Sequence, residues 1–240
     1  MRADQYLTLH KHYASRARAQ AAIKAGLVSV NGRTLKKPSE KIVDGAQVVA
    51  GREHPWVSRG GMKLAHALEV FGVDPTGRTA LDVGASTGGF SQVLISRGAA
   101  RVFAVDVGHG QLHPDLHSET RIVSMEGQDA RTLSPAQLNP TPDLVVCDAS
   151  FISAMKVLEV PLRLVAREAE LITLVKPQFE VGKVNLRRGG LVASEELGLR
   201  ALDTVRHWVG SQGWRVKTTE VSPILGGSGN TEYLLYATRS

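Results

Sequence analysis

The chain has 240 residues, 42% of them hydrophobic, with 29 Lys and Arg against 23 Asp and Glu and a single cysteine. That apolar content is enough for a core, one cysteine excludes an internal disulfide framework, and no apolar run approaches the ~20 residues that span a bilayer. The net charge of +6 is lopsided: residues 1–60 carry 11 basic but only 4 acidic residues, leaving 18 against 19 in the remainder. A polyanion-binding module joined to a near-neutral body is therefore expected. Met1-Arg2-Ala3-Asp4 opens no apolar signal region, and with the lone cysteine this predicts a reducing, cytoplasmic setting.

Residues 1–50 predict two helices followed by short strands. Tyr6 and Leu7 belong to the first helix; the second runs from Ser15, a candidate N-cap, to Gly26, its stop. Leu27–Val30 reads as a strand leading into Asn31-Gly32, a strong hairpin signal, and Lys41–Val49 as another strand with a turn at Asp44-Gly45. Polar residues then mark a linker, 51–57. From Ser58, which can cap a helix running to Phe71, helices and apolar β-prone runs alternate. The predicted strands are Thr79–Val83, Val102–Val107, Ile122–Met125, Leu144–Cys147 and Leu171–Val175, with helices at Phe90–Arg97, Ala154–Arg167 and Glu195–Gln212. Such alternation predicts an α/β, doubly wound, mostly parallel sheet over residues 58–240. Trp214–Val221 and Tyr233–Thr238 close it with a pair that includes an antiparallel strand.

The strand Ala80–Val83 leads through Gly84-Ala85-Ser86-Thr87-Gly88-Gly89 into a helix at Phe90. Gly84 allows a tight turn, and Gly88 and Gly89 let backbone approach a ligand at the helix start. The Asp-x-Gly-x-x-x-Gly-Gly spacing is neither a P-loop nor a dinucleotide fingerprint. Asp82 before it would repel a pyrophosphate but can pair with an ammonium such as that of S-adenosylmethionine. Asp106 ends the next strand, where a carboxylate can take ribose hydroxyls, and Asp129 follows the third strand, within range of an adenine amino group. The predicted cofactor set is thus Asp82, Gly84, Ser86, Gly88, Gly89, Phe90, Asp106 and Asp129.

This loop, Ala104-Val105-Asp106-Val107-Gly108 and Asp148-Ala149-Ser150-Phe151-Ile152-Ser153 together resemble the TlyA (haemolysin A) family of ribosomal RNA methyltransferases, which join an S4-type RNA-binding domain to an FtsJ-like Rossmann methyltransferase. The resemblance covers essentially the whole chain. It implies S-adenosylmethionine as cofactor and ribose 2′-O-methylation of rRNA, with cytidine the usual target. It also implies domains at 1–50 (a small α+β S4 fold) and 58–240.

A ribose hydroxyl is a weak acid, so its methylation needs a base, positioning and a water-poor pocket. Asp148 ends the Leu144–Cys147 strand, and Lys176 ends the Leu171–Val175 strand, held extended by Pro177. Lys63 lies in a helical first turn where a cation opposes the helix dipole, which suggests that it serves a site. Glu232 enters the last strand. FtsJ-like enzymes carry a Lys-Asp-Lys-Glu tetrad in these contexts, and the resemblance makes Lys176 the base, with Asp148 and Glu232 tuning it and Lys63 helping to hold the nucleotide.

Arg2, Arg16, Arg18, Lys24, Arg33, Lys36 and Lys37 in the first module, with Arg59 at the junction and Arg187 and Arg188 in a later loop, are the expected RNA contacts. Tyr13, Trp56 and Phe151 are aromatic candidates for stacking a base, with core packing the favoured role for each. The eight histidines lack zinc-site spacing, so no metal is expected. Ribosomal RNA or subunits are the expected partner and no membrane role is expected. The competing reading is a non-catalytic RNA-binding or ribosome-assembly factor on the same fold.

Overall fold

The computed structural model describes residues 1–13, 15–51 and 54–240. They form two compact units, Met1–Pro55 and Trp56–Ser240. The predicted linker at 51–57 spans this division; two of its residues, Arg52 and Glu53, lie outside the described residues.

In the first unit, α1 (Ala3–Leu9) and α2 (Arg16–Lys24) precede a three-stranded antiparallel sheet of β1 (Val28–Val30), β2 (Arg33–Thr34) and β3 (Val48–Ala50), in the order β2-β1-β3. Ser15 caps α2, its hydroxyl accepting from Arg18 N at 3.3 Å. Asn31 and Gly32 both adopt positive φ, as a tight hairpin between β1 and β2 requires. The predicted strand from Lys41 to Val49 is mostly irregular: Lys41 makes one bridge to Arg2, and only Val48–Ala50 pairs in the sheet. Asp44-Gly45 turns the chain there, with Gly45 at φ +81°. Leu7, Ile23, Val28, Leu35 and Ile42 fill the small core.

The second unit is a seven-stranded sheet. Its strands are β4 (Thr79–Val83), β5 (Arg101–Asp106), β6 (Ile122–Glu126), β7 (Leu144–Cys147), β8 (Ala169–Val175), β9 (Arg215–Val221) and β10 (Tyr233–Arg239). Their order is β6-β5-β4-β7-β8-β10-β9, and only β10 runs antiparallel to its neighbours. Alternate residues serve opposite faces, as the two-residue repeat dictates. Leu81, Val83, Val145, Cys147, Leu171 and Val175 pack under α5 (Ala154–Leu158) and α7 (Glu195–Ser211). Ala80, Leu144, Val146, Ile172 and Leu174 pack under α3 (Gly60–Phe71) and α4 (Gly89–Ser96). A one-turn α6 (Pro177–Glu180) follows β8 directly.

Two helix predictions need correction. The helix expected over Ala154–Arg167 stops at Leu158 and gives way to a 3-10 turn, Pro161–Arg163, because Pro161 has no amide hydrogen to continue the helical ladder. Ser58 does not cap α3: Arg59 holds the cap position without a side-chain bond, and the Ser58 carbonyl accepts from Gly61 N at 3.1 Å. Gly72, in the left-handed conformation, ends α3 just after Phe71.

Strand order reverses between β4 and β7, the topological switch point where α/β sheets bind ligands at their carboxyl ends. Val83 and Cys147, the last residues of these strands, are paired, so the glycine loop and Asp148 emerge side by side.

Candidate active site

The glycine loop is shaped by backbone conformations that few side chains accept. Gly84 has φ +81°, and a β-carbon there would lie 2.8 Å from Ala149 Cα. The loop can therefore pass the segment after β7 only with glycine. Ser86 is also left-handed, at φ +49°. Gly89, the first residue of α4, packs against the Ser58 hydroxyl with no room for a side chain.

Asp82 differs from the expectation. Its side chain is fully enclosed and absent from the cleft wall. Oδ2 accepts from the Ser91 hydroxyl at 2.6 Å, and burial lifts the carboxyl to about 7. It braces the loop against α4 rather than presenting a carboxylate to a ligand's ammonium.

A cleft of about 500 Å³ opens beside the loop. Of the predicted cofactor residues, Gly84, Ser86, Asp106 and Asp129 line it, whereas Asp82, Gly88, Gly89 and Phe90 do not. Asp106 is fixed by two amides, Ser86 N on Oδ2 and Gly108 N on Oδ1, each at 2.8 Å. The Asp129 carboxylate caps the turn that follows it and pairs with Arg131, whose guanidinium holds it below the usual carboxylate range.

At the switch-point end, four charges from four parts of the chain form an alternating row. Glu232 Oε2 meets Lys63 Nζ at 2.6 Å; Lys63 Nζ lies 3.9 Å from Asp148 Oδ1; and that oxygen lies 2.7 Å from Lys176 Nζ. Lys63, Lys176 and Glu232 are buried. Isolated, any of them would be costly to enclose; in alternation each cation has an anion and the row is neutral overall. Gln178 Nε2 donates to Glu232 Oε1 at 3.4 Å, and Gly226 leaves room for the Glu232 carboxylate.

Residues 56–239 match the FtsJ-like methyltransferase family and residues 1–48 match the S4 domain. The chain is 44% identical over 226 residues to the 16S/23S rRNA (cytidine-2′-O)-methyltransferase TlyA of Mycobacterium tuberculosis, covering 92% of this chain and 84% of that protein. It belongs to the TlyA family of rRNA methyltransferases. A solved haemolysin structure from Streptococcus thermophilus superposes with TM-score 0.79 at 36% identity, covering all of this chain and 88% of that one. A magnesium protoporphyrin IX methyltransferase from Synechocystis PCC 6803, solved with bound SAH, shares the fold alone: 18% identity and TM-score 0.52, over 76% of this chain and 83% of that one.

The remaining predicted residues of this TlyA-family chain are placed unevenly. Arg16, Arg18, Lys24, Arg33, Lys36, Lys37, Arg59, Arg187 and Arg188 are exposed. Arg2 and Arg16 both pair at 3.0 Å with the fully buried Asp4, and Arg33 pairs with Glu40. Arg187 bends back onto the Ala193 carbonyl, so Arg188 is the freer of the loop's two arginines. Tyr13 donates to the Gly51 carbonyl at 2.6 Å and Trp56 packs beside Gly61, in keeping with packing roles. Phe151 corrects the expectation: it is 93% exposed, left-handed at φ +65°, part of the cleft lining, and tilted against Phe179 at 5.5 Å.

Sequence reasoning missed three groups. Glu126 accepts the amides of Gly110, Gln111 and Leu112 and so shapes the loop after β5. Glu180 accepts from Ser153 Oγ and Ala154 N, pinning the segment after β7 to α6. Ser150 bonds Lys176. Only Glu126 left a signal, as a carboxylate ending an apolar strand. Among the described residues no three His, Cys, Asp or Glu converge as a metal site, and no helix is long and apolar enough to cross a membrane. Burial pushes the Cys147 thiol up to about 11, which leaves it unreactive.

Proposed function

We propose that this chain methylates a ribose 2′-hydroxyl of ribosomal RNA, on cytidine, using S-adenosylmethionine and Lys176 as base. The carrying observation is the buried row Glu232–Lys63–Asp148–Lys176, which ends beside a cleft walled by Asp106 and Asp129. The cleft fits the cofactor chemically. Asp106 suits ribose hydroxyls and Asp129 an adenine amino group, while Gly84–Phe90 contains no Lys or Arg to hold a pyrophosphate. When bound, S-adenosylmethionine supplies a methyl group on a positively charged sulfur.

The chain's own residues do the rest. Lys176, as a neutral amine, accepts the proton that the ribose hydroxyl loses. Asp148 holds Lys176 in place and balances the charge it gains. Lys63, anchored by Glu232, keeps Asp148 from bearing an uncompensated charge at the cleft edge. Phe151 offers an exposed aromatic face beside this centre on which an unstacked base can rest. The basic first unit would dock structured RNA through phosphates, with Arg59 and Arg188 as further contacts. Such an enzyme works with ribosomes, in the cytoplasm.

The test is methyl incorporation into isolated ribosomal subunits, followed by mapping of the 2′-O-methyl groups. Lys176→Ala is expected to abolish transfer while keeping S-adenosylmethionine affinity, measured by calorimetry. Near-wild-type turnover in that variant removes Lys176 from its role. Subunit binding with no methyl incorporation by the wild type would leave only the non-catalytic RNA-binding role.

A further inference from the structure

Lys176, the base in the reading above, does not itself line the cleft. Its side chain is 8% exposed, while Asp148 and Ser150 form the wall in front of it. Three oxygens surround Nζ: Asp148 Oδ1 at 2.7 Å, the Asp148 carbonyl at 3.0 Å and Ser150 Oγ at 2.7 Å. Nζ donates hydrogen bonds to the Asp148 carbonyl and to Ser150 Oγ, and Asp148 Oδ1 stands against it as an ion-pair partner without a hydrogen bond. A neutral amine has two N–H bonds and a lone pair, and a lone pair that is to take up a proton needs a neighbour able to give one. Carboxylate and carbonyl oxygens only accept. The Ser150 hydroxyl alone can donate, and Ser150 is exposed and part of the cleft lining.

We propose that Ser150 relays the proton from the ribose hydroxyl to Lys176. The inference rests on the assignment of Lys176 as base. As the 2′-oxygen bonds the methyl carbon of the sulfonium donor, the methyl–sulfur bond breaks and its electron pair stays on sulfur, leaving a neutral thioether. The 2′-hydroxyl proton passes to Ser150 Oγ, and the serine's own proton passes to the lone pair of Lys176. One positive charge is lost from sulfur and one appears on nitrogen, where Asp148 Oδ1 already sits at 2.7 Å. The serine ends as it began.

The surroundings hold Ser150 in register for this step. Lys176 grips it on one side, and beyond Phe151 the segment is clamped by Glu180 through Ser153 Oγ at 2.6 Å and Ala154 N at 2.7 Å. β7 and β8 are adjacent parallel strands, so Ser150 and Lys176, 26 residues apart, are brought together by the sheet itself.

The experiment uses the full chain, ribosomal subunits and saturating S-adenosylmethionine in single-turnover methyl transfer. Ser150→Ala is expected to slow transfer on the order of 100-fold, the usual loss when a proton-transfer group is removed, with unchanged KM for subunits and unchanged cofactor affinity. Ser150→Thr, which keeps a hydroxyl, is expected to restore most of the rate. Adding Ser150→Ala to Lys176→Ala is expected to cost nothing more, because the two act as one unit. A near-wild-type rate for Ser150→Ala beside an inactive Lys176→Ala overturns the relay and leaves the base assignment standing. A loss confined to KM, or a threonine variant as slow as alanine, also overturns it by making Ser150 a positioning group. An active Lys176→Ala removes the base itself, and the relay with it.

Discussion

Beneath the glycine loop, Asp82 is a carboxyl group with 0% exposure that is hydrogen-bonded by Ser91. Burial lifts it from an ordinary 3.8 to about 7, with the nearby Asp148 and Asp106 charges adding to the rise. Between those values the folded chain keeps a proton that the unfolded chain has released. The contribution of Asp82 to stability is therefore full below about pH 4, falls as pH rises toward 7 and is flat above. Asp82→Asn, a neutral isostere that can still accept from Ser91, is expected to gain stability relative to wild type on moving from pH 4.5 to pH 8. Urea unfolding of both proteins at the two values checks this, and an equal difference at both would sink it. The same residue shows where sequence reading stops. An acidic side chain at a strand end can be read off the chain, but its face of the sheet is set by β4's pairing and by the helix laid over it. Ser150 is the sharper case: a serine in a short loop carries no signal until β7 and β8 bring it to Lys176.

At the scale of elements, strands and most helices were legible because their apolar repeats are strong and each segment has its own punctuation. Ser15 and Gly26 bound α2, and Gly72 ends α3. The failures lie where local propensity yields to a neighbour: Pro161 cuts α5 short, and only three residues of the predicted 41–49 region or just beyond it, Val48–Ala50, find a partner strand. The switch point was legible only as alternation, since strand order depends on long-range pairing. Its geometry gives a second prediction. Gly84→Ala must adopt φ +81° and also meets the Ala149 backbone, whereas Gly77→Ala must adopt φ +73° in open space. Both carry the left-handed penalty of about 1–2 kcal/mol, but only Gly84→Ala displaces the segment bearing Asp148 and Ser150. It is expected to be the less stable of the two by chemical denaturation, and the only one to lose S-adenosylmethionine affinity by calorimetry. Equal losses in both variants would show that the close approach to Ala149 is unimportant.

Across the whole molecule, the charge asymmetry visible in the sequence is partly consumed by the structure. Asp4 is fully buried and accepts Arg2, Arg16 and Gln20 Nε2, with Arg2 holding its carboxyl well below the usual range. Arg2 and Arg16 are thereby oriented at a cost in net charge, and Arg33 is similarly tied to Glu40. Arg18 and Lys24 are exposed and make no ion pair among the described residues. Counterion release should therefore be carried most directly by these free cations, since each neutralised phosphate liberates condensed ions. Binding of the full chain to an rRNA fragment is expected to weaken steeply between 50 and 200 mM salt. Arg18→Ala and Lys24→Ala should each flatten the plot of log affinity against log salt by roughly one unit. Arg16→Ala should do more than flatten it, because it strips a buried carboxylate of a partner and so lowers stability as well. Arg200→Ala, whose charge is already answered by Glu196 on the same helix face, should leave the slope unchanged. Filter-binding titrations at four salt concentrations distinguish these outcomes, and a wild-type slope near zero would remove the first unit as the electrostatic dock.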